Sequence, residues 1–287
     1  MTRRRFRIRK DRMTTVRYFS MFSGIGGFEI GIQQAAGSLG LTAECVGYSE
    51  IDKHAIRTYE EHFNHDNYGD ATTINADALP DFDLLVGGFP CQAFSVAGRR
   101  RGFDDTRGTL FFDIARVLRA NYPEHFILEN VKGLISHDKG NTFRTILRTL
   151  DELGYNVQWK VLNSKDHGVP QHRERVYIVG HLGGTPQPQV FSAGGPSNPY
   201  TTIGVTAETA VARTLTAGGN SGGNHSGMTI LRTPDGDRRL TPVEWERLQG
   251  FPDGWTVGSD TQRYKQCGNA VTVPVVRYVA ERLLATA

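Results

Sequence analysis

Short apolar runs alternate with amphipathic stretches through the first 180 residues. Residues 16–21, 43–48, 83–87, 125–129, 155–162 and 175–180 have strand length and strand character, while 53–63, 110–120 and 142–153 carry apolar side chains at helical spacing. This alternation predicts an α/β fold, doubly wound, with a parallel sheet covered by helices on both faces. Ligands of such sheets bind beyond the carboxyl ends of the strands, so the residues just after each strand are where chemistry is expected.

The pattern changes after Gly180. Residues 181–238 hold 11 of the chain's 33 glycines, with prolines at 186, 188, 196, 199 and 234. A loop-rich segment is predicted there, with short strands such as 228–232. Helical patterning returns at 242–249 and at 273–285, where Val276, Val279 and Leu283 recur at helix spacing, and this last helix is expected to pack back on the sheet. The predicted organisation is a domain of residues 1–183 completed by 262–287, and a small domain at 184–261.

Composition and charge narrow the function classes. In 287 residues, 38% of them hydrophobic, no apolar run approaches the roughly 18 residues of a membrane helix, so no membrane partner is expected and a cytoplasmic protein is. The net charge of +3 hides an asymmetry: residues 1–12 hold seven arginines and lysines against Asp11, a local +6, which leaves −3 for the other 275 residues. That arm reads first as a solvated leader and second as a non-specific phosphate contact. Cys45, Cys91 and Cys267 are odd in number and far apart, which argues against a disulfide framework and a four-cysteine zinc site; no metal ligand set is expected.

Four post-strand segments stand out. Phe22-Ser23-Gly24-Ile25-Gly26-Gly27-Phe28 joins a strand to a helix start, where glycines allow close approach and free amides favour an anionic group. Glu29 stands where a dinucleotide fingerprint would want a third glycine, which favours another adenosine ligand over NAD. Glu50, after the next strand, sits where an acid would take ribose hydroxyls. Gly88-Phe89-Pro90-Cys91-Gln92 places a thiol on a loop at the sheet's carboxyl edge, an odd position for a packing cysteine; Cys45 and Cys267 read as inert. Glu129 follows another strand at the same edge, where burial could raise its pKa enough for proton donation. Arg173 and Arg175, alternating on a strand, would share a face.

The order and spacing of FSGIGGFEIG, GGFPCQAFSVAG, ENVKGL, QHRERVYIVG, RLTPVEWERLQGFP and QCGNAVTVPVV resemble the motif series of bacterial and phage cytosine-C5 DNA methyltransferases, over residues 16–284. The resemblance implies a Rossmann-like S-adenosylmethionine-dependent methyltransferase domain with a small loop-rich target-recognition domain. It implies S-adenosyl-L-methionine as cofactor, with S-adenosyl-L-homocysteine as product, held by Phe22, Gly24, Gly26, Gly27, Glu50, Ile51, Asp70 and Asn269. Ile51 stands where the family often has an aromatic against the adenine, and Ala270 replaces a commoner serine. Cys91 would be the nucleophile at cytosine C6, Glu129 would contact N3 and the exocyclic amine, and Arg173 and Arg175 would orient the base and the catalytic pair.

The partner so implied is double-stranded DNA, met by a monomer in a bacterial cytoplasm or phage-infected cell, with room for a cognate restriction endonuclease encoded nearby. Because C6 is stacked inside a duplex, the base must be flipped out. Gln92, Ser95, Arg99, Arg100 and Arg107 are expected on a loop that closes over it. Thr214 and Leu215, which resemble the threonine-aliphatic pair of the family's recognition region, and Asn220 and Asn224 are expected at the DNA. Two rival readings are an RNA cytosine-C5 methyltransferase of the same fold and a catalytically dead DNA-binding module. The presence of both Cys91 and Glu129 argues against the second.

Overall fold

The structure is a computed structural model that describes residues 14–90, 110–183, 189–191, 211–217, 230–233 and 236–285. Along the chain run β1 (Thr15–Met21), α1 (Gly27–Ser38), β2 (Thr42–Ser49), α2 (Lys53–Glu60), β3 (Leu84–Gly88), α3 (Leu110–Asn121), β4 (His125–Val131), α4 (Asn141–Glu152), β5 (Tyr155–Asn163) and β6 (Glu174–Leu182). Then come β7 (Ile230–Thr233), β8 (Gly236–Arg239), α5 (Pro242–Gln249), α6 (Asp260–Asn269) and α7 (Val273–Leu284). The strands β1 to β6 form one sheet of order β2-β1-β3-β4-β6-β5, and β7 and β8 pair as an antiparallel hairpin.

Side chains alternate between two buried faces. Phe19, Leu85, Phe126 and Leu128 point into a cluster shared with Phe111, Ile114, Ile146 and Leu150 of α3 and α4. Tyr18, Leu84, Val86 and Ile127 point the other way, into a cluster with Phe28 and Ile32 of α1 and Val276, Val279 and Leu283 of α7. Full burial on both faces is why these strands read as continuous apolar runs. The expected docking of the last helix on the sheet is what the structure has. It depends on Gly31: a Cβ there would meet Val276 at 2.6 Å, so glycine lets α1 and α7 come together.

One strand corrects the wholly parallel sheet read from the pattern. β6 runs antiparallel to both β4 and β5. The cause is the connection from β5 to β6, residues 164–173, which holds a single 3-10 turn and no crossover helix, whereas a parallel return needs a dozen or more residues. The reversal brings the start of β6 to the edge where β1, β2, β3 and β4 end.

The stretch RLTPVEWERLQGFP carries its own start and stop signals. Thr241 and Glu244 form a reciprocal capping box, Pro242 opens α5, and Gly250 ends it with φ 80, where a Cβ would strike Pro274 at 2.4 Å. Trp255 donates its indole N–H to the Ile25 carbonyl at 2.8 Å, and Phe251 and Trp255 share a cluster with Ile25, Ala55, Ala270 and Val273. Packing therefore joins residues on either side of the 261/262 boundary expected between the two domains.

Candidate active site

The carboxyl edge of the sheet gathers three loops. After β1, Phe22 and Gly24 both take positive φ, 55 and 58, and turn the chain into α1. The Gly24 amide donates to Glu50 Oε2 at 2.9 Å, while the amides of Ile51 and Asp52 donate to Glu50 Oε1 at 2.8 Å each. The Glu50 carboxylate thus pins the loop after β2 to the loop after β1. Ser49 donates to the Gly69 carbonyl at 2.7 Å, which draws in the loop that bears Asp70. Asp70 is exposed, and hydrogen bonds from the Thr72 amide and hydroxyl hold its carboxyl below the usual range.

These residues fit an adenosine ligand. A Cβ built on Gly24 meets nothing within 4 Å, so open space faces the backbone there, and Ile51 presents an apolar side chain 71% exposed between two acids. The other two glycines assigned to the cofactor have a different explanation. A Cβ on Gly26 would strike the Phe63 ring at 2.3 Å and one on Gly27 would strike Val271 at 2.7 Å, so protein already fills the space those glycines make. Asn269 is exposed at the end of α6, with no direct bond to the Glu50 cluster among the described contacts.

Glu129, near the end of β4, is 8% exposed. Its Oε1 pairs with Arg175 Nε at 3.1 Å, across the reversed strand β6. Burial pushes the Glu129 carboxyl above its ordinary pKa, against the pull of Arg175 and Arg173. Its Oε2 lies 3.5 Å from where a Gly88 Cβ would stand, so the carboxyl overhangs the end of β3. Next door, buried Asn130 donates to the Phe89 carbonyl at 2.8 Å and accepts the Val131 amide, which ties the end of β4 to the chain leading into Pro90. Cys91 itself lies outside the described residues, as do Gln92, Ser95, Arg99, Arg100, Arg107, Asn220 and Asn224.

Arg173 and Arg175 take separate tasks. The Arg173 guanidinium is 3% exposed and donates to the carbonyls of Leu215, Gly268 and Ala270, at 2.7, 3.1 and 2.8 Å. It binds the segment 211–217 to the end of α6, and only Arg175 touches Glu129. Beside it, buried Gln171 donates to the Leu248 carbonyl and to Gln249 and accepts the Leu215 amide; Gln249 in turn holds the Cys267 carbonyl and the Thr272 hydroxyl. Three of the motif segments and the segment 211–217 are thereby joined in one polar network. Gly268 belongs to it: a Cβ there would meet the Thr216 backbone at 2.4 Å.

Leu215 corrects an expectation. Its side chain is 1% exposed, packed with Leu240, Trp245, Leu248 and Tyr264, so it anchors the segment and offers no free surface for a base contact. Thr214 donates its hydroxyl to the His172 carbonyl and lines, with Lys165, His172, Arg213 and Thr216, a cleft of about 590 Å³. The residues that motif reading passed over are Asn130, Gln249 and Gly268; each lies inside a quoted motif, but each works through a partner far away in the chain.

Comparison with known proteins agrees with this geometry. The family described as C-5 cytosine-specific DNA methylase matches residues 16–205 and 189–285. The type II methyltransferase M1.ScrFI of Lactococcus lactis subsp. cremoris is 40% identical over 92% of this chain and 77% of its own length. M.NlaX of Neisseria lactamica is 41% identical over 92% of this chain and 95% of its own. The crystal structure of S. pombe Dnmt2 methyltransferase shares the fold, with a TM-score of 0.71 at 20% identity over 94% of this chain and 99% of that one. No helix among the described residues is long and apolar enough to cross a membrane. The chain belongs to the C-5 cytosine-specific DNA methylase family and is an S-adenosylmethionine-dependent DNA cytosine methyltransferase.

Proposed function

We propose that this enzyme methylates C5 of a flipped-out cytosine within a short duplex sequence by covalent addition of Cys91 to C6. The observation that carries the proposal is the buried Glu129 carboxyl, paired with Arg175 at 3.1 Å and set against the last residue of β3, three positions before Cys91. Cytosine C5 is too weak a nucleophile to take a methyl group unaided. Addition of the Cys91 thiolate to C6 forms a carbon–sulfur bond and moves the ring electrons towards C5 and N3. Glu129, whose carboxyl burial pushes towards the protonated form, gives a proton to N3, and Arg175 then stabilises the carboxylate left behind. Gly24, Glu50, Ile51 and Asp70 would hold S-adenosylmethionine, whose sulfonium would supply the methyl group to C5 with S-adenosylhomocysteine as the leaving group. With C5 methylated, the C5 proton passes to water, the carbon–sulfur bond breaks to return Cys91 as thiolate, and N3 gives its proton back to the Glu129 carboxylate.

In this reading Asn130 and Arg173 are positioning residues: the first holds Phe89 and so the approach to Cys91, the second fixes segment 211–217 against the body. Thr214 and the cleft beside it face the duplex, and the loop-rich 184–261 region selects the sequence. The names of the type II methyltransferase relatives support a role as the modification partner of a restriction endonuclease; a solitary or phage methylase is the alternative, and either would act as a monomer. Bisulfite sequencing of plasmid from cells that express the chain tests the activity and reads the target. Methylation at one short sequence, absent with Cys91→Ser, is expected. Unmethylated plasmid with the folded wild-type protein, or methylation that survives Cys91→Ser, contradicts it.

A further inference from the structure

We propose that Glu124, His125 and His181 form a binding site for one divalent transition-metal cation of zinc's class, a clip across the ends of β4 and β6 away from the active site. His125 and His181 are directly opposed in the antiparallel β4·β6 ladder, and both are buried, 1% and 7% exposed. Their Nδ1 atoms stand 3.1 Å apart. Two imidazole nitrogens bound to one tetrahedral zinc at about 2.0–2.1 Å stand roughly 3.3 Å apart, so the pair is within a few tenths of an ångström of ligating spacing without any shift of a strand. Glu124 precedes β4, its carbonyl held by the Leu182 amide at 2.9 Å, and its half-exposed carboxylate lies 3.8 Å from His125 Nε2. One ligand atom from each of the three residues lies within 4.8 Å of the other two.

A second observation is independent of this spacing. His125 Nε2 is buried with no hydrogen-bond partner, an uncommon state for a polar atom in a protein core; with both Nδ1 atoms on the cation it carries the ring's proton and presents it to the Glu124 carboxylate, 3.8 Å away. Burial also pushes the His125 imidazole down to about 3, which keeps it in the neutral form that metals take. Two imidazoles and a carboxylate leave the fourth tetrahedral position to water on the solvent side of Glu124. One of the two rings now donates from Nδ1. On binding, that proton moves to the same ring's Nε2, so both Nδ1 lone pairs face the cation and no proton need leave. His125 stands four positions before Glu129, about 13 Å of strand, so the clip would brace the strand pair that carries Glu129 and Arg175 without touching substrate.

The test uses untagged full-length protein stripped with a chelator. Zinc is titrated by calorimetry and Co²⁺ by absorption. One equivalent of each is expected to bind, with the visible bands of tetrahedral Co²⁺, no thiolate charge-transfer band, and a thermal midpoint that rises with zinc. His181→Asn should abolish binding. Glu124→Gln, an exposed change that leaves the fold intact, should weaken it by at least the roughly tenfold that loss of even an outer-shell partner costs. Four results overturn the site: no binding to the wild type, a thiolate band that marks the cysteines, undiminished affinity in Glu124→Gln, or undiminished affinity in folded His181→Asn.

Discussion

Glu29 on the first turn of α1 offers a quantitative test of how the cofactor side is built. It is wholly buried, its Oε1 accepts from the Tyr59 hydroxyl at 3.1 Å, and its Oε2 has no partner. Burial raises its pKa from 4.5 to about 7, although the helix N-terminus favours the charged form. A carboxyl whose folded pKa is raised favours folding most below its unfolded pKa, and that contribution is lost as pH climbs towards and past the folded value. Linkage with these two pKa values gives a loss of about 2.5 kcal/mol between about pH 5 and about pH 8. Glu29→Gln keeps the shape and the acceptor for Tyr59 but cannot ionise. Its unfolding free energy, from denaturant melts across that pH range, should fall about 2 to 3 kcal/mol less than that of the wild type, leaving the variant the more stable protein at the alkaline end. Parallel pH profiles for the two proteins would refute the reasoning.

Asn130→Ala leaves the buried Phe89 carbonyl unpaired, a cost of about 1–3 kcal/mol; we expect kcat to fall about tenfold or more while S-adenosylmethionine affinity, read by calorimetry, holds. Gly268→Ala drives a Cβ into the Thr216 backbone and should destabilise the fold by about 1–3 kcal/mol in denaturant melts, since backbone on the far side cannot rotate away. Removal of residues 1–12, with a local charge of +6, should weaken DNA binding and flatten its salt dependence without changing the methylated sequence, because phosphate contacts position without reading bases; bisulfite sequencing of the truncated enzyme checks it.

What could be read from the chain divides along a physical line. The six sheet strands were legible, the central ones because burial on both faces writes them as apolar runs, and the structure shifts their ends by at most two residues. The direction of β6 was not, since a strand's pattern is the same read either way; only the helix-free connection before it hinted at the reversal. That direction matters most, because it carries Arg175 to Glu129. Glycines were legible as places needing room, but not what fills the room: open space at Gly24, Phe63 at Gly26, Val271 at Gly27, backbone at Gly268. Gln171 meets Gln249 across 78 positions and Asn130 meets Phe89 across 41, so motif membership marked these residues without disclosing their partners. Leu215 was misplaced for a related reason: a lone aliphatic in a polar segment reads equally as a contact or as an anchor until its cluster is seen.

The central claim is that Cys91 attacks the target base with Glu129 as proton donor, and trapping that bond tests it most directly. A duplex with 5-fluorocytosine at the methylated position permits methyl transfer but blocks loss of the C5 substituent, so the carbon–sulfur bond cannot break. In the presence of S-adenosylmethionine, a denaturation-resistant protein–DNA adduct should accumulate with wild type, Cys45→Ser and Cys267→Ser, form more slowly with Glu129→Gln, and be absent with Cys91→Ser. An adduct mapped by peptide sequencing to Cys45 or Cys267, or one that forms undiminished in Cys91→Ser, would contradict the account.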